Sequence, residues 1–269
     1  MQKQASELVQ GHGKFPFLTK MSLDDFPNLK RLDGFVQLPC LEELDLVDMP
    51  AVESISGGPF PSLVKFKIYR LHSLGEMWIV TDRTLSGKGG EGCSNHNHHQ
   101  PGQLQIGSHL ADLDINDCPK LWVKPHFPIS LQHLQLHKCN NNLLLSPWQG
   151  QGSSWSSNSP PSFSHLKVLR LWNMKASLPL LRPLSPGLRL ELLQHMSALE
   201  SLVIYLCSYL TELPEYLGNL CSLQRMRIVS CNLLSNLFPD IGCWCSNHMC
   251  SLLSMGVWRI WRQYFLRIS

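Results

Sequence analysis

Residues 110–121 read LADLDINDCPKL and contain the pattern that decides the fold. Leu110, Leu113 and Ile115 follow the spacing L-x-x-L-x-L, and Cys118 stands eight residues after the first leucine. The same spacing, with other apolar residues allowed in place of some leucines, occurs eight times along the chain. The copies begin at Leu18, Leu41, Leu63, Leu110, Leu131, Leu166, Leu199 and Leu223. One copy would carry little information, but eight copies in order indicate an internal repeat.

The distance between copies shows where the repeat is regular. Successive first leucines are 23, 22, 47, 21, 35, 33 and 24 residues apart. Four of these intervals fit the roughly 20–29 residues of a leucine-rich repeat, and the other three fit a repeat plus an insertion. Residues 81–102 and 146–162 are rich in Gly, Ser, Asn and Pro and are predicted to be long loops. We assign residues 18–242 to the repeat domain, 1–17 to a truncated leader or partial cap, and 243–269 to a non-repeat tail.

The L-x-L part of each copy predicts a short β-strand, because alternate residues of a strand point to opposite faces. The apolar residues would point to the core and the intervening residues to the outside. Strands of successive copies would pair, since one repeat cannot bury its apolar face alone. We therefore expect an α/β solenoid, a leucine-rich-repeat horseshoe with a parallel concave β-sheet and an irregular or short-helical convex side. Small buried residues are expected just after four of the strands, at Cys118, Cys139, Cys207 and Cys231.

The composition narrows the class of protein. The chain has 269 residues, of which 16% are charged, and a formal net charge of +3. That charge is too small to predict nucleic-acid binding. We find no apolar run of about 18 residues, no secretory signal and no Asn-x-Ser/Thr acceptor, so we expect no membrane contact. The expected location is cytoplasmic or nuclear, with the ten cysteines reduced.

Residues 199–223, LESLVIYLCSYLTELPEYLGNLCSL, resemble the leucine-rich repeats of plant disease-resistance proteins of the nucleotide-binding type (NLR proteins). Leu213-Pro214-Glu215, followed by Leu217-Gly218-Asn219-Leu220, is similar to the cereal form of the repeat. The same resemblance covers residues 41–53, 60–78 and 110–121. It implies a role in innate immunity through a protein partner. That partner would be a pathogen effector, a guarded host protein or an attached nucleotide-binding domain that the repeats restrain.

The sequence departs from that family in lacking a phosphate-binding motif. The pair Gly87-Lys88 is followed by Gly89 and lies in a predicted loop, whereas a P-loop needs G-x-x-x-x-G-K-[ST] after a strand. No catalytic signature is found either, so we expect neither an enzyme nor a cofactor. The alternatives are a free-standing adaptor such as a ubiquitin-ligase substrate receptor, an extracellular repeat receptor, a hydrolase, or a non-functional resistance-gene fragment.

Two groups of metal-ligand residue types occur, and we predict that neither binds a metal. The first is too compact for a structural zinc site, and the second lies in a Gly-rich loop that would not orient its ligands. Their members are Cys243, Cys245, His248 and Cys250, and Cys93, His96, His98 and His99. The aromatic stretch 258–268 carries three arginines and is interpreted as a packed end or non-native sequence rather than a membrane-surface helix.

The outward residues would form columns across the predicted sheet. Charge signs alternate along the column that begins Lys20, Glu43, Lys65, which favours cross-strand pairing over a charge-selective groove and argues against nucleic acid. A further column brings aromatic residues to the surface, where they are typical of protein interfaces. The predicted partner-binding residues are Tyr69, His133, Arg170, Trp172, Tyr205, Arg225 and Arg227.

Overall fold

The computed structural model describes the repeat region with several gaps. The described residues are 15–35, 38–80, 103–124, 127–140, 143, 163–174, 193, 196–210, 213, 217 and 220–234. Both predicted loops, the tail 243–269 and most of the leader lie outside them. So do both groups of metal-ligand residue types, the Gly87-Lys88 pair and the stretch 258–268.

Sheet A, as we name it, is an eight-stranded parallel sheet built from the eight motif copies. Its order along the sheet is β1-β3-β5-β8-β10-β11-β12-β13, so strands follow one another as they do in the chain. The bounds are β1 Lys20–Asp24, β3 Glu43–Val47, β5 Lys65–Tyr69, β8 Asp112–Asn116, β10 His133–His137, β11 Val168–Trp172, β12 Ser201–Tyr205 and β13 Arg225–Val229. The predicted parallel sheet is confirmed.

All eight copies pair in the same register, so equivalent motif positions are neighbours. Leu44 pairs with Phe66, and Phe66 with Leu113. The register is kept across both predicted loops, from β5 to β8 and from β10 to β11. A one-residue slip would turn the apolar residues outward, which is why the motif fixes the pairing so firmly.

A left-handed residue follows each strand of sheet A. These residues have φ between 49° and 62° and are Asp25, Asp48, Arg70, Asp117, Lys138, Asn173, Leu206 and Ser230. From Asp25 to Leu206, the N–H of each donates to the last carbonyl of the next strand, at 2.8 to 3.2 Å. The bend that ends each strand therefore also extends the hydrogen-bonded ladder by one residue. Asp and Asn tolerate this conformation, whereas Leu206 adopts it at a steric cost.

Sheet B, the second sheet, lies on the other side of the first repeats and was not predicted. It contains β2 Arg31–Phe35, β4 Ser54–Phe60, β6 Glu76–Val80, β7 Gln103–Ile106 and β9 Trp122–Lys124. Its pairs are parallel, and its order is β2-β4-β7-β6-β9. The expectation of an irregular or short-helical convex side is therefore wrong for the five described segments that form sheet B. The far side of these repeats satisfies its backbone groups by pairing strand to strand instead.

The long third repeat contributes two strands to sheet B and one to sheet A. The chain leaves β6 at Val80, and β7 begins at Gln103, on the far side of the predicted loop. Strand β7 then lies between β4 and β6. Close packing here requires glycine, because a Cβ on Gly58, whose φ is +108°, would stand 2.5 Å from the Gln105 carbonyl oxygen. Four repeats thus place five strands in sheet B opposite four in sheet A.

One apolar core lies behind sheet A and includes residues of sheet B. Leu44, Phe66 and Leu113 of sheet A are buried with Ile55 and Met77 of sheet B. At the two ends of sheet A, the equivalent motif residues are only partly buried. These are Leu18, Met21, Leu23, Leu223 and Met226. Core burial is therefore strongest in the middle repeats, as expected when each repeat contacts only its neighbours.

Four cysteines stand just after strands of sheet A, as predicted. Cys118, Cys139 and Cys207 are buried and Cys231 is partly buried. The Cys139 thiol lies 3.3 Å from the Ile115 carbonyl oxygen and 3.2 Å from that of His137. Burial raises the pKa of Cys139 to about 12 and that of Cys207 to about 11, so these thiols stay protonated and unreactive at neutral pH.

The far side of the later repeats is described at isolated positions. Leu143, Leu193 and Leu217 are buried and have helical backbone conformation. Only these single positions of that side are helical among the described residues, whereas the far side of the first four repeats forms sheet B.

Candidate functional site

The outer face of sheet A, as we name it, is formed by the strand residues that point away from the apolar core. Parallel pairing in one register aligns them in three columns of eight. The first begins at Lys20 and ends at Arg225, the second runs from Ser22 to Arg227, and the third from Asp24 to Val229. The predicted columns are therefore confirmed, and all seven predicted partner-binding residues lie on this one face.

Opposite charges meet on the first three strands. The Lys20 ammonium nitrogen lies 2.9 Å from Glu43 Oε2, and that of Lys65 lies 3.3 Å from Glu43 Oε1. The hydrogen bond with Glu43 raises the pKa of Lys20, and hydrogen bonds from Lys20 and Lys65 lower the pKa of Glu43. Cross-strand pairing was the favoured interpretation of this column, and it is confirmed here. Such exposed pairs stabilise the fold only slightly.

Tyr69 is tied to Asp114 and is not free to anchor a partner through its hydroxyl. The hydroxyl donates to Asp114 Oδ2 at 2.5 Å. Burial, reinforced by this hydrogen bond, raises the pKa of Tyr69 above its ordinary value. Burial also raises the pKa of Asp114, against the lowering effect of Tyr69 and of Lys67 nearby. Asp45 Oδ1 is buried without a hydrogen bond among the described residues, and the Lys67 ammonium nitrogen lies 3.6 Å from it.

His133 is also paired, in the middle of the sheet. Its Nδ1 contacts the carboxylate of Asp112 on the neighbouring strand. Of the seven predicted residues, Tyr69 and His133 therefore face carboxylates within the sheet itself. Their side chains complete the polar network of the first five strands rather than an open contact surface.

Three aromatic rings form a row across β10, β11 and β12. The His137 and Trp172 ring centroids are 5.1 Å apart, and those of Trp172 and Tyr205 are 4.8 Å apart in an edge-to-face arrangement. Trp172, in the centre, is 49% exposed. Burial lowers the pKa of His137, with Lys138 adding to the effect, so the ring is more readily neutral at physiological pH. We call these three residues the aromatic row.

Three arginines lie beside the aromatic row, and of these Arg170 interacts electrostatically with Asp114, whose pKa it helps to lower. Arg170 donates to the Gln135 side-chain oxygen at 3.2 Å. In the described part of the chain, no ion pair includes Arg170, Arg225 or Arg227. The three side chains are exposed. This region can therefore offer cationic donors and aromatic surface at once, as protein interfaces often do.

The structure adds participants that the sequence prediction omitted. His137 extends the aromatic row, Asp114 holds Tyr69, and Gln135 holds Arg170. His137 stood in the predicted aromatic column and could have been included on that basis. Asp114 was harder to find, because it lies on the next strand and one column away from Tyr69.

No group of three or more His, Cys, Asp or Glu residues within the described ranges could hold a metal ion. Nor does any helix among those residues have the length and apolar character needed to cross a membrane. In comparisons with known proteins, no protein-family model matches the chain, and no curated protein is significantly similar to it.

Proposed function

We propose that the chain is a leucine-rich-repeat solenoid that binds a protein partner on the outer face of sheet A, its concave side. The observation that carries this proposal is the aromatic row, with Trp172 half-exposed and Tyr205 packed against it. A large aromatic side chain held in place by neighbours loses little conformational entropy on binding, which suits it to an interface. Five strands of sheet B opposite four of sheet A support a curved repeat with sheet A on the inner side.

The proposed biological role is recognition in plant innate immunity, as the repeat region of a nucleotide-binding disease-resistance protein. The support is the repeat spacing and the cereal-like segment 199–223, whose strand β12 carries Tyr205. The partner would be a pathogen effector, a guarded host protein or the attached switch domain, and its binding would shift a resting state toward an active one. The chain itself would be non-catalytic and would work in the cytoplasm or nucleus.

The test of partner binding is site-specific photo-crosslinking in extracts of the native tissue. The substitution Trp172→p-benzoylphenylalanine places the photoreactive group in the aromatic row. Trp78→p-benzoylphenylalanine is the matched control, because Trp78 is a half-exposed tryptophan on sheet B. We expect a defined protein adduct from position 172 and none from position 78. The adduct should disappear when Arg170→Ala and Tyr205→Ala are added, and equal adducts from both positions would contradict the proposal.

The immune role has a separate test. Mapping the 5′ end of the transcript in the native tissue shows whether an in-frame G-x-x-x-x-G-K-[ST] segment is joined to the repeats. We expect to find it. A stable transcript and protein without such a segment would instead favour a free-standing adaptor or a gene fragment.

A further inference from the structure

Charge is distributed unequally along the outer face of sheet A. Strands β1, β3, β5 and β8 carry three lysines and five carboxylates. Strands β11, β12 and β13 carry three arginines and no carboxylate. The cations of the first part are offset within the sheet. Of the last three, Arg170 is partly offset, because it interacts electrostatically with Asp114, whereas Arg225 and Arg227 form no ion pair among the described residues. The unpaired positive charge is therefore concentrated on β13, with the partly offset Arg170 two strands away.

The shape of those three strands adds to the charge. On β12, the outward residues before Tyr205 are Ser201 and Val203, both smaller than their neighbours. Val203 lies between Arg170 of β11 and Arg227 of β13. Neighbouring strands are about 4.8 Å apart, so the two arginine backbones are about 10 Å apart, with a low apolar floor between them. We call this feature the arginine trough.

The aromatic row closes one end of the arginine trough. Trp172 and Tyr205 lie two residues further along β11 and β12 than Arg170 and Val203. On β13, Arg225 lies two residues before Arg227 and widens the cationic side. A ligand lying on this surface would meet arginine on both sides, an apolar floor, and aromatic rings at one end.

The geometry points to an acidic peptide segment as the occupant of the arginine trough: a stretch of the protein partner with a carboxylate next to an apolar or aromatic side chain. This inference rests on the proposed function and names the chemistry of the partner. A carboxylate above Val203 would be flanked by Arg227 on one side and, on the other, by Arg170, which would turn to it from Gln135 of β10. The planar guanidinium groups of both arginines suit carboxylate recognition. The adjacent apolar side chain would pack on Trp172 and Tyr205, which a simple anion would leave uncovered.

The test is selection of a random displayed peptide library on the full chain. The variant that removes the charge is Arg225→Gln with Arg227→Gln. The matched control is Lys65→Gln with Lys67→Gln, because these residues occupy the same two columns on β5. We expect the unmodified chain and the control to enrich peptides with Asp or Glu beside an apolar residue. The arginine variant should bind those peptides at least about tenfold more weakly, since the loss of one charge-assisted hydrogen bond lowers the affinity by roughly that factor.

Other outcomes separate this inference from the proposed function. Enriched peptides without acidic residues, lost with Trp172→Ala but not with the arginine variant, would overturn the acidic peptide and leave partner binding intact. An oligothymidylate bound more tightly than any peptide would overturn it in favour of nucleic acid. Sedimentation that shows self-association, lost in the arginine variant, would overturn it in favour of a second copy of the chain. No enrichment, together with no crosslinking at position 172, would contradict both proposals.

Discussion

The two ends of sheet A have the same backbone and different surfaces. On β3 and β5, Glu43, Asp45, Lys65 and Lys67 each face an opposite charge on a neighbouring strand. On β13, Arg225 lies beside Ser201 of β12, and Arg227 lies beside Val203. The first region is also backed by sheet B, whereas the later repeats show buried helical residues on that side. The repeat fixes where the outward side chains stand, and their chemistry then varies independently of it.

Burial differs most between the two regions and gives the largest expected effect. Leu110 and Leu223 occupy the same motif position, but Leu110 is completely buried and Leu223 is only partly buried. Leu110→Ala should lower the free energy of unfolding by about 2–5 kcal/mol. Leu223→Ala should cost less than half of that. Urea unfolding followed by circular dichroism measures both, and equal losses would mean that the last repeat is packed as tightly as the fourth.

The tight packing of sheet B gives the next largest effect. Gly58→Ala should destabilise the protein by about 1–3 kcal/mol, because the new Cβ would meet the Gln105 carbonyl oxygen and the backbone has a positive φ. Gly75→Ala is the control, since no atom outside the glycine and its two chain neighbours lies within 4 Å of the Cβ it would add. Urea midpoints of the two variants compare them directly. If Gly58→Ala behaves like Gly75→Ala, strand β7 does not lie against β4 in solution.

The left-handed residues test the backbone that both regions share. Leu206→Asn should stabilise the protein by roughly 0.5–1 kcal/mol, because asparagine adopts a φ of 54° more readily than leucine. Asn173→Leu, at the equivalent position one repeat earlier, should destabilise it by a similar amount. Thermal unfolding of both variants checks the signs. Changes of the same sign would show that contacts of the side chains outweigh the backbone preference.

The smallest effect concerns His137, where the polar network meets the aromatic row. Its pKa in the folded protein lies below the reference value of 6.5, chiefly through burial, with Lys138 lowering it and Asp117 and Asp114 opposing. As the pH falls, His137 is therefore protonated in the unfolded chain before it is protonated in the folded protein. This contribution to stability is full above pH 6.5 and is lost as the pH falls through the folded pKa. The free energy of unfolding, measured as a function of pH, should fall below pH 6.5, and His137→Gln should reduce this fall. An unchanged pH dependence in the variant would mean that other groups cause it.

Sheet A could be predicted from the sequence because the repeated apolar spacing determines both which residues are buried and which residues pair between strands. Met77 with Ile79, and Leu104 with Ile106, show the alternation of strands, but these segments share no repeated motif that would align them. The placement of β7 between β4 and β6 is a crossover that no local pattern encodes. In the candidate site, the predicted columns of outward residues correctly placed Trp172 beside Tyr205. They did not show that Tyr69 reaches diagonally to Asp114, because that contact depends on side-chain length.

Because of the left-handed bend after each strand, sheet A stays continuous whatever the length of chain between its strands. Arg70 N–H donates to the Asn116 carbonyl across the 81–102 segment as directly as Asp48 N–H donates to that of Tyr69 within a short repeat. Seven such hydrogen bonds join successive strands of sheet A, whatever the number of residues between those strands. The far side of the molecule is thus open to insertion. A reporter domain or a protease site placed between β6 and β7 should leave the outer face of sheet A assembled, and new sequence can be acquired there without loss of that face.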